Sequence, residues 1–196
     1  LAVLRTVRDA ADPARALPVA QIWDLDDAGA HRLWRELRVG DVDQRPVGLA
    51  FLGDDRLVVA VGDRLELRDV HTGAPLATAA LGAQAQAFTA DAQRIAVGLL
   101  GGHVAVHDAR LARLARFELA GTTPSVRRIY THDGVHHLDE PQDVPTQPTV
   151  LALLGPRLAV GGTDGDIRLF DLTKNRPVAT LANPRGRPDF YGTARV

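Results

Sequence analysis

Cysteine and methionine are missing altogether from this 196-residue chain, and lysine (Lys174) and serine (Ser125) occur once each. Without cysteine there is no disulfide, no zinc–thiolate centre and no thiol nucleophile. The lone serine sits in an irregular, proline-containing stretch, so no Ser–His–Asp set stands out. Neither sign of charge dominates: 23 Lys and Arg face 24 Asp and Glu, a formal net charge of −1. That balance carries no electrostatic footprint for nucleic acid or an anionic membrane. No apolar run approaches the ~18 residues needed to span a bilayer. The missing methionine extends to the first position, so a chain beginning Leu1-Ala2-Val3 is expected to be a piece of a longer product. A missing signal peptide therefore carries no information about compartment; a cytoplasmic location is the working expectation.

What is present is a folded-protein composition, 45% hydrophobic and 24% charged, arranged as a repeat. Residues 47–70 (VGLAFLGDDRLVVAVGDRLELRDV), 85–109 (AQAFTADAQRIAVGLLGGHVAVHDA) and 150–172 (VLALLGPRLAVGGTDGDIRLFDL) line up. Each holds a short apolar strand, a polar turn, a second apolar strand with a glycine at its end, another turn, and an alternating strand closed by aspartate. The closing residues are Asp69, Asp108 and Asp171, and QIWDL places Asp24 in the same column. Spacings of 45 residues from Asp24 to Asp69 and 39 from Asp69 to Asp108 bracket the ~40–45 of a propeller blade. A fourth strand-like stretch follows each aspartate, at 31–37, 76–80, 113–119 and 178–182, which completes four strands per unit.

Strand chemistry agrees with this. Leu65 and Leu67 alternate with Glu66 and Arg68, and Ile167 and Leu169 with Arg168 and Phe170, one set to each face of a sheet. The second strands, Leu57 to Val61, Ile95 to Val97 and Leu158 to Val160, are continuously apolar, as strands sandwiched between neighbouring blades are. Gly62, Gly98 and Gly161 are read as ending those strands, where a residue without Cβ turns freely. Asp164-Gly165 is a strong hairpin dipeptide.

The segment GGTDGDIRLFDL (161–172) resembles the WD-repeat signature, with Phe170-Asp171 in the Trp-Asp place, and Trp23-Asp24 is the literal dipeptide. The resemblance covers about residues 19–182. It implies an all-β propeller of four-stranded antiparallel blades, about four of them present and the remainder lying outside this sequence. The departures are specific. Arg68 and His107 stand in the tryptophan column, no copy has the Gly-His dipeptide before its first strand, and the second-strand Ser/Thr position is Val61, Val97 or Val160. The family's buried Trp, Ser/Thr, His and Asp tetrad is thereby lost even where Asp164 survives, and apolar packing between blades is expected to replace it. The partition that follows is one partial propeller domain over 1–196. Its blades fall at about 1–37 (incomplete), 47–80, 85–119 and 149–182. A hairpin insert occupies 120–148, explaining the 63 residues from Asp108 to Asp171, and a loop tail occupies 183–196. The insert is read either as a hairpin around Asp133-Gly134 protruding between blades or as the worn first strands of a lost blade. Residues 9–18 read as a loop.

Candidate chemistry is sparse. His132, Asp133, His136, His137, Asp139 and Glu140 form the one dense ligand-type cluster, but a hairpin sends His136 and His137 to opposite faces, so a polar exposed loop is preferred to a metal site. Asp24, Asp26, Asp27 and Gly29 suggest a calcium loop, which fails because Arg35 occupies the place of the bidentate acid. The closing aspartates are read as turn residues bonding nearby amides. Gly101-Gly102-His103 and Gly161-Gly162 lack the strand–loop–helix setting of a phosphate cradle. Arg127-Arg128 and Arg185-Gly186-Arg187 are ordinary surface arginines. The expectation is a non-catalytic scaffold without a cofactor. Its partners are other proteins, with no nucleic acid and no membrane, and it self-associates if no further blades close the ring. In bacteria such repeats resemble the C-terminal sensing arm of larger signalling proteins, which implies a multidomain parent. The alternative is a quinoprotein-like, ligand-binding propeller: Asp69-Val70-His71-Thr72-Gly73 and Leu33-Trp34-Arg35 resemble pieces of that family's repeats, but lie in different blades.

Overall fold

The computed structural model describes residues 1–8, 12, 15–25, 29–129 and 138–184. Among them every regular element is a β-strand, and every pairing is antiparallel. The first sheet has three strands, β1 (Ala2–Arg8), β2 (Ala16–Leu25) and β3 (His31–Arg38), in that order. Three four-stranded meanders follow. They are β4 (Pro46–Phe51), β5 (Arg56–Val61), β6 (Arg64–Asp69) and β7 (Pro75–Ala80); then β8 (Ala85–Ala90), β9 (Arg94–Leu99), β10 (His103–Asp108) and β11 (Arg113–Glu118). After β12 (Thr122–Ile129) and β13 (Leu138–Pro145), which pair only with each other, comes the last sheet. It comprises β14 (Pro148–Leu154), β15 (Arg157–Gly162), β16 (Ile167–Asp171) and β17 (Arg176–Leu181).

Two features of the first sheet escape the sequence pattern. Residues 2–8 form a full strand paired with β2, from Ala2 opposite Ile22 to Arg8 opposite Ala16. The loop expected at 9–18 is shorter than that, because Ala16, Leu17 and Pro18 already belong to β2. Alternation of Ala2 and Leu4 with Val3 and Arg5 is what makes 2–8 a strand, and with no preceding repeat to align it against, it carries no register signal.

The sheets stack face to face, and the core is the series of layers between them. Between the first and second sheets lie Ala20, Ile22, Leu37, Leu57, Val59 and Val61; between the second and third, Val58, Leu65, Leu67, Ile95 and Val97; between the third and last, Val104, Val106, Phe117, Leu151, Leu158 and Phe170. β5 runs down the middle of this stack, and all of Leu57 to Val61 are 0% exposed. Such a strand has no polar face to offer, which is why its sequence is an unbroken apolar run.

Gly98 and Gly161 do not terminate their strands. Both lie inside β9 and β15. A Cβ on Gly98 would stand 2.7 Å from Pro148 of the next sheet, and one on Gly161 would stand 2.6 Å from Val150 on the paired strand. Their glycines are required by close approach rather than by a turn. Gly62, which follows β5 at φ +56°, is the one of the three with turn geometry.

Candidate functional site

Three of the four repeated aspartates close their strands by the same device. The Asp69 carboxylate accepts from the Thr72 backbone N–H at 2.6 Å and the Thr72 hydroxyl at 2.8 Å. Asp108 accepts from the backbone N–H groups of Arg110 and Ala112, both at 2.8 Å. Asp171 accepts from the N–H and hydroxyl of Thr173 and the N–H of Lys174. The Thr72 bonds hold the Asp69 carboxyl below the usual carboxylate range, and the Thr173 hydroxyl and Lys174 N–H do the same for Asp171. Asp24 is exposed beside a shallow hollow of about 270 Å³ that it lines with Ala30, His31 and Arg32. Asp26 and Asp27, and the cluster members His132, Asp133, His136 and His137, lie outside the described residues.

The column preceding these aspartates holds Trp23, Arg68, His107 and Phe170, and each solves the position differently. Phe170 is buried with its ring centroid 4.4 Å from that of Phe117 in the preceding sheet. Buried His107 uses Nδ1 on the Leu111 carbonyl at 3.0 Å. Arg68 donates to Glu66 and, at 3.2 Å, to the Gly73 carbonyl. Trp23 is half-buried and meets His31 edge-on at 5.7 Å.

Apolar packing is not the whole of what replaces the lost tetrad. Asp164, 0% exposed in the β15–β16 turn, is paired with both terminal nitrogens of buried Arg168 and accepts from the Thr146 hydroxyl at 3.1 Å and the Asp166 N–H at 3.2 Å. Arg168 also donates to the Ala120 carbonyl. The network thus ties both ends of the β12–β13 arm to the last sheet. Burial pushes the Asp164 carboxyl up, but the bonds from Arg168, Asp166 and Thr146 together hold it below its usual value; the same bond raises Arg168. In the second sheet Glu66, 5% exposed, takes Arg64, Arg68 and the N–H of Gly40 in the connection that follows β3. Sequence reasoning missed Glu66, Thr146 and Arg168. The available signal was a charge three residues before a closing aspartate in an otherwise apolar layer. Gly165 (φ +81°) completes the Asp164 turn by donating to the Gly162 carbonyl.

Every outermost strand carries a bulge at the same place. Opposite Ile22/Trp23, Leu67/Arg68, Val106/His107 and Leu169/Phe170, the register skips one residue: Trp34, Leu76, Leu114 and Val178. A bulged residue leaves the ladder and is re-aimed. These four are exposed by 40%, 51%, 55% and 50%, so one large apolar side chain per sheet faces outward in a common row. Trp34 is steadied by an edge-on contact with His71 at 5.7 Å and by the Arg35 guanidinium 5.5 Å from its ring centroid. Arg35 in turn donates to the Thr72 carbonyl, so the segments 33–35 and 69–73 of adjacent sheets meet in space.

No family model matches the sequence, and no curated protein is similar to it. Solved structures are. A crystal structure of the RRP9 WD40 repeats and a structure of U3-55K each superpose with a TM-score of 0.54 at 14% identity, over 74% of this chain and 41% of theirs. The fold is a WD40-like β-propeller arc. The chain spans about two fifths of the length of those two structures, and about four blades are present: one of three strands and three of four. Among the described residues no helix is long and apolar enough to cross a membrane.

Within the arc, equivalent positions differ sharply at its two ends. Each blade turns one set of residues toward the preceding blade and one toward the following blade. The pairs Leu57/Val59, Ile95/Val97 and Leu158/Val160 face backward and are all 0% exposed; their counterparts in the first blade, Leu1 and Val3, are 64% and 42% exposed. Forward-facing Ala20, Leu65 and Val104 are 0% exposed, and their counterpart in the last blade, Ile167, is 43% exposed, with Leu181 beside it at 54%.

Proposed function

We propose that the chain is a non-catalytic protein-interaction scaffold whose outer rim grips an acidic, apolar-studded segment of a partner protein. The observation that carries this reading is the row of bulge residues Trp34, Leu76, Leu114 and Val178, one exposed apolar knob per blade. Exposed apolar side chains in a repeating row mark contact surfaces, and Trp with neighbouring Arg is a composition typical of binding hot spots. The same outer strands expose Arg32, Arg38, Arg113, Arg116 and Arg176 against Glu36 and Glu118. The rim is therefore positive in a chain whose net charge is −1, which selects acidic partners.

The domain partition belongs to this proposal: one partial propeller over 1–196, with the 120–148 arm inserted between blades and 183–196 as a tail. So does its setting as the recognition part of a larger cytoplasmic signalling protein, which rests on the resemblance of such repeats to sensing arms. The rigid layers between blades support the scaffold reading, because they fix the spacing of the knobs.

The test is capture from native lysate with the full chain as bait, comparing it with Trp34→Ala/Leu76→Ser/Leu114→Ser. A specific protein retained by the first and lost by the second, with both baits equally stable, is the expected result. Capture unaffected by the rim substitutions, or retention of nucleic acid in place of protein, contradicts the proposal.

A further inference from the structure

We infer that Arg35, with Trp34 and His71 beside it, seats a carboxylate of the partner segment, and that the apolar residue next to that carboxylate lies on Trp34. The inference rests on the rim reading above and names one contact within it. A comparison of arginines carries it. Among the described residues, Arg56, Arg64, Arg68, Arg94 and Arg168 are buried or half-buried. Each is paired with a carboxylate of this chain: Arg56 with Asp55, Arg64 and Arg68 with Glu66, Arg94 with Asp91, and Arg168 with Asp164. Arg35 is half-buried too, yet no carboxylate among the described residues pairs with it. Its one hydrogen bond there runs from Nη1 to the Thr72 carbonyl at 3.2 Å, and its Nε is buried without a partner. A guanidinium has five N–H donors to satisfy, and a charge withdrawn from water is costly unless it is paired.

The acids close to it in sequence are engaged elsewhere. Glu36 accepts from the Gln21 side-chain amide at 2.7 Å, and Asp69 from the N–H and hydroxyl of Thr72. A carboxylate from another molecule therefore gives Arg35 what the other buried and half-buried arginines already have, through short charge-assisted bonds. The apolar half of the seat adjoins it. Trp34 is 40% exposed, its ring centroid lies 5.5 Å from the Arg35 guanidinium, and exposed His71 meets the same ring edge-on at 5.7 Å. Thr72 and His71 belong to the second blade and Trp34 and Arg35 to the first, so the seat is built between two sheets that the chain itself provides.

The experiment uses the full chain carrying Trp23→Phe, which leaves Trp34 as its sole tryptophan. Its fluorescence is followed while the peptide acetyl-Leu-Glu-Leu-Glu-Leu-Glu-amide is added. A saturable change in Trp34 emission is expected. Replacing glutamate by glutamine in the peptide is expected to weaken binding about tenfold or more, the factor that hydrogen bonds to a charged group supply. Arg35→Gln removes the preference between the two peptides, and Arg35→Lys, which keeps the charge, retains part of it. An unchanged unfolding midpoint establishes that each variant is folded. Equal affinity for the two peptides, no binding of the glutamate peptide, or a preference that survives Arg35→Gln overturns the inference. The rim reading stands or falls separately. A lysate partner lost by the Trp34→Ala/Leu76→Ser/Leu114→Ser bait but kept by Arg35→Gln upholds the rim and overturns the carboxylate seat alone.

Discussion

Leu65 and Ile167 occupy the same place, four residues before a closing aspartate on the third strand of a blade, yet Leu65 is 0% exposed and Ile167 is 43% exposed. Both are large aliphatics facing forward; the difference is that Leu65 has a following blade against it and Ile167 has none among the described residues.

The cost of truncation is expected to follow that difference. Leu65→Ala removes a fully buried side chain and lowers stability by about 2–5 kcal/mol. Ile167→Ala changes it by about 0.5 kcal/mol or less, as surface substitutions do. Urea unfolding of the two variants at low protein concentration provides the comparison. Equal losses contradict the assignment of Ile167 to an uncovered face.

Asp164→Asn leaves Arg168 buried without its counter-charge, so a loss of about 3–5 kcal/mol is expected. Arg168→Met strands the Asp164 carboxylate and costs a similar amount. Because each substitution breaks the same pair, the double variant loses less than the sum of the singles. Additive losses in a denaturation cycle mean that the two side chains act separately.

Acid sensitivity follows from the same pair. The Asp164 carboxyl is held below its ordinary value of 3.8, so the unfolded chain takes up its proton first as pH falls. The stabilisation is complete above the unfolded value and disappears as pH drops from about 5 through 3.8 toward the lower folded value. Unfolding free energies measured from pH 7 to 3 are expected to fall in that window, and to fall less steeply in Asp164→Asn. Identical pH profiles for the two proteins exclude Asp164 as a source of the effect.

Gly98→Ala places a Cβ about 2.7 Å from Pro148 unless the two strands shift. Forced displacement in a packed layer costs about 1–3 kcal/mol. Pro148→Gly removes both ring atoms that oppose it, Cβ and Cγ, so the double variant recovers part of the loss. Thermal unfolding of the four proteins tests this, and a harmless Gly98→Ala places the third and last blades farther apart than they are here.

The sequence made the strand count legible because each blade repeats the same cues: an unbroken apolar second strand, an alternating third strand and a closing aspartate. β1 was invisible because alternation over residues 2–8 has no neighbouring copy to fix its register. The buried Asp164–Arg168 pair was hidden for another reason. Alternation assigns Arg168 to a face, but only the arrangement of blades decides that this face is inside. The exposed row of Trp34, Leu76, Leu114 and Val178 depends on a one-residue register skip, which leaves no mark in hydropathy. Close approach, rather than turn geometry, explains Gly98 and Gly161, and that too requires the neighbouring strand to be in place.

The most direct test of the stacked-blade account is native-state amide hydrogen exchange resolved by strand. The account predicts the slowest exchange in the second strands, 57–61, 95–99 and 158–162, which lie between layers, and fast exchange in the outermost strand 176–181. Slowest exchange in the outermost strands, or uniform protection across all four strands of a sheet, contradicts it.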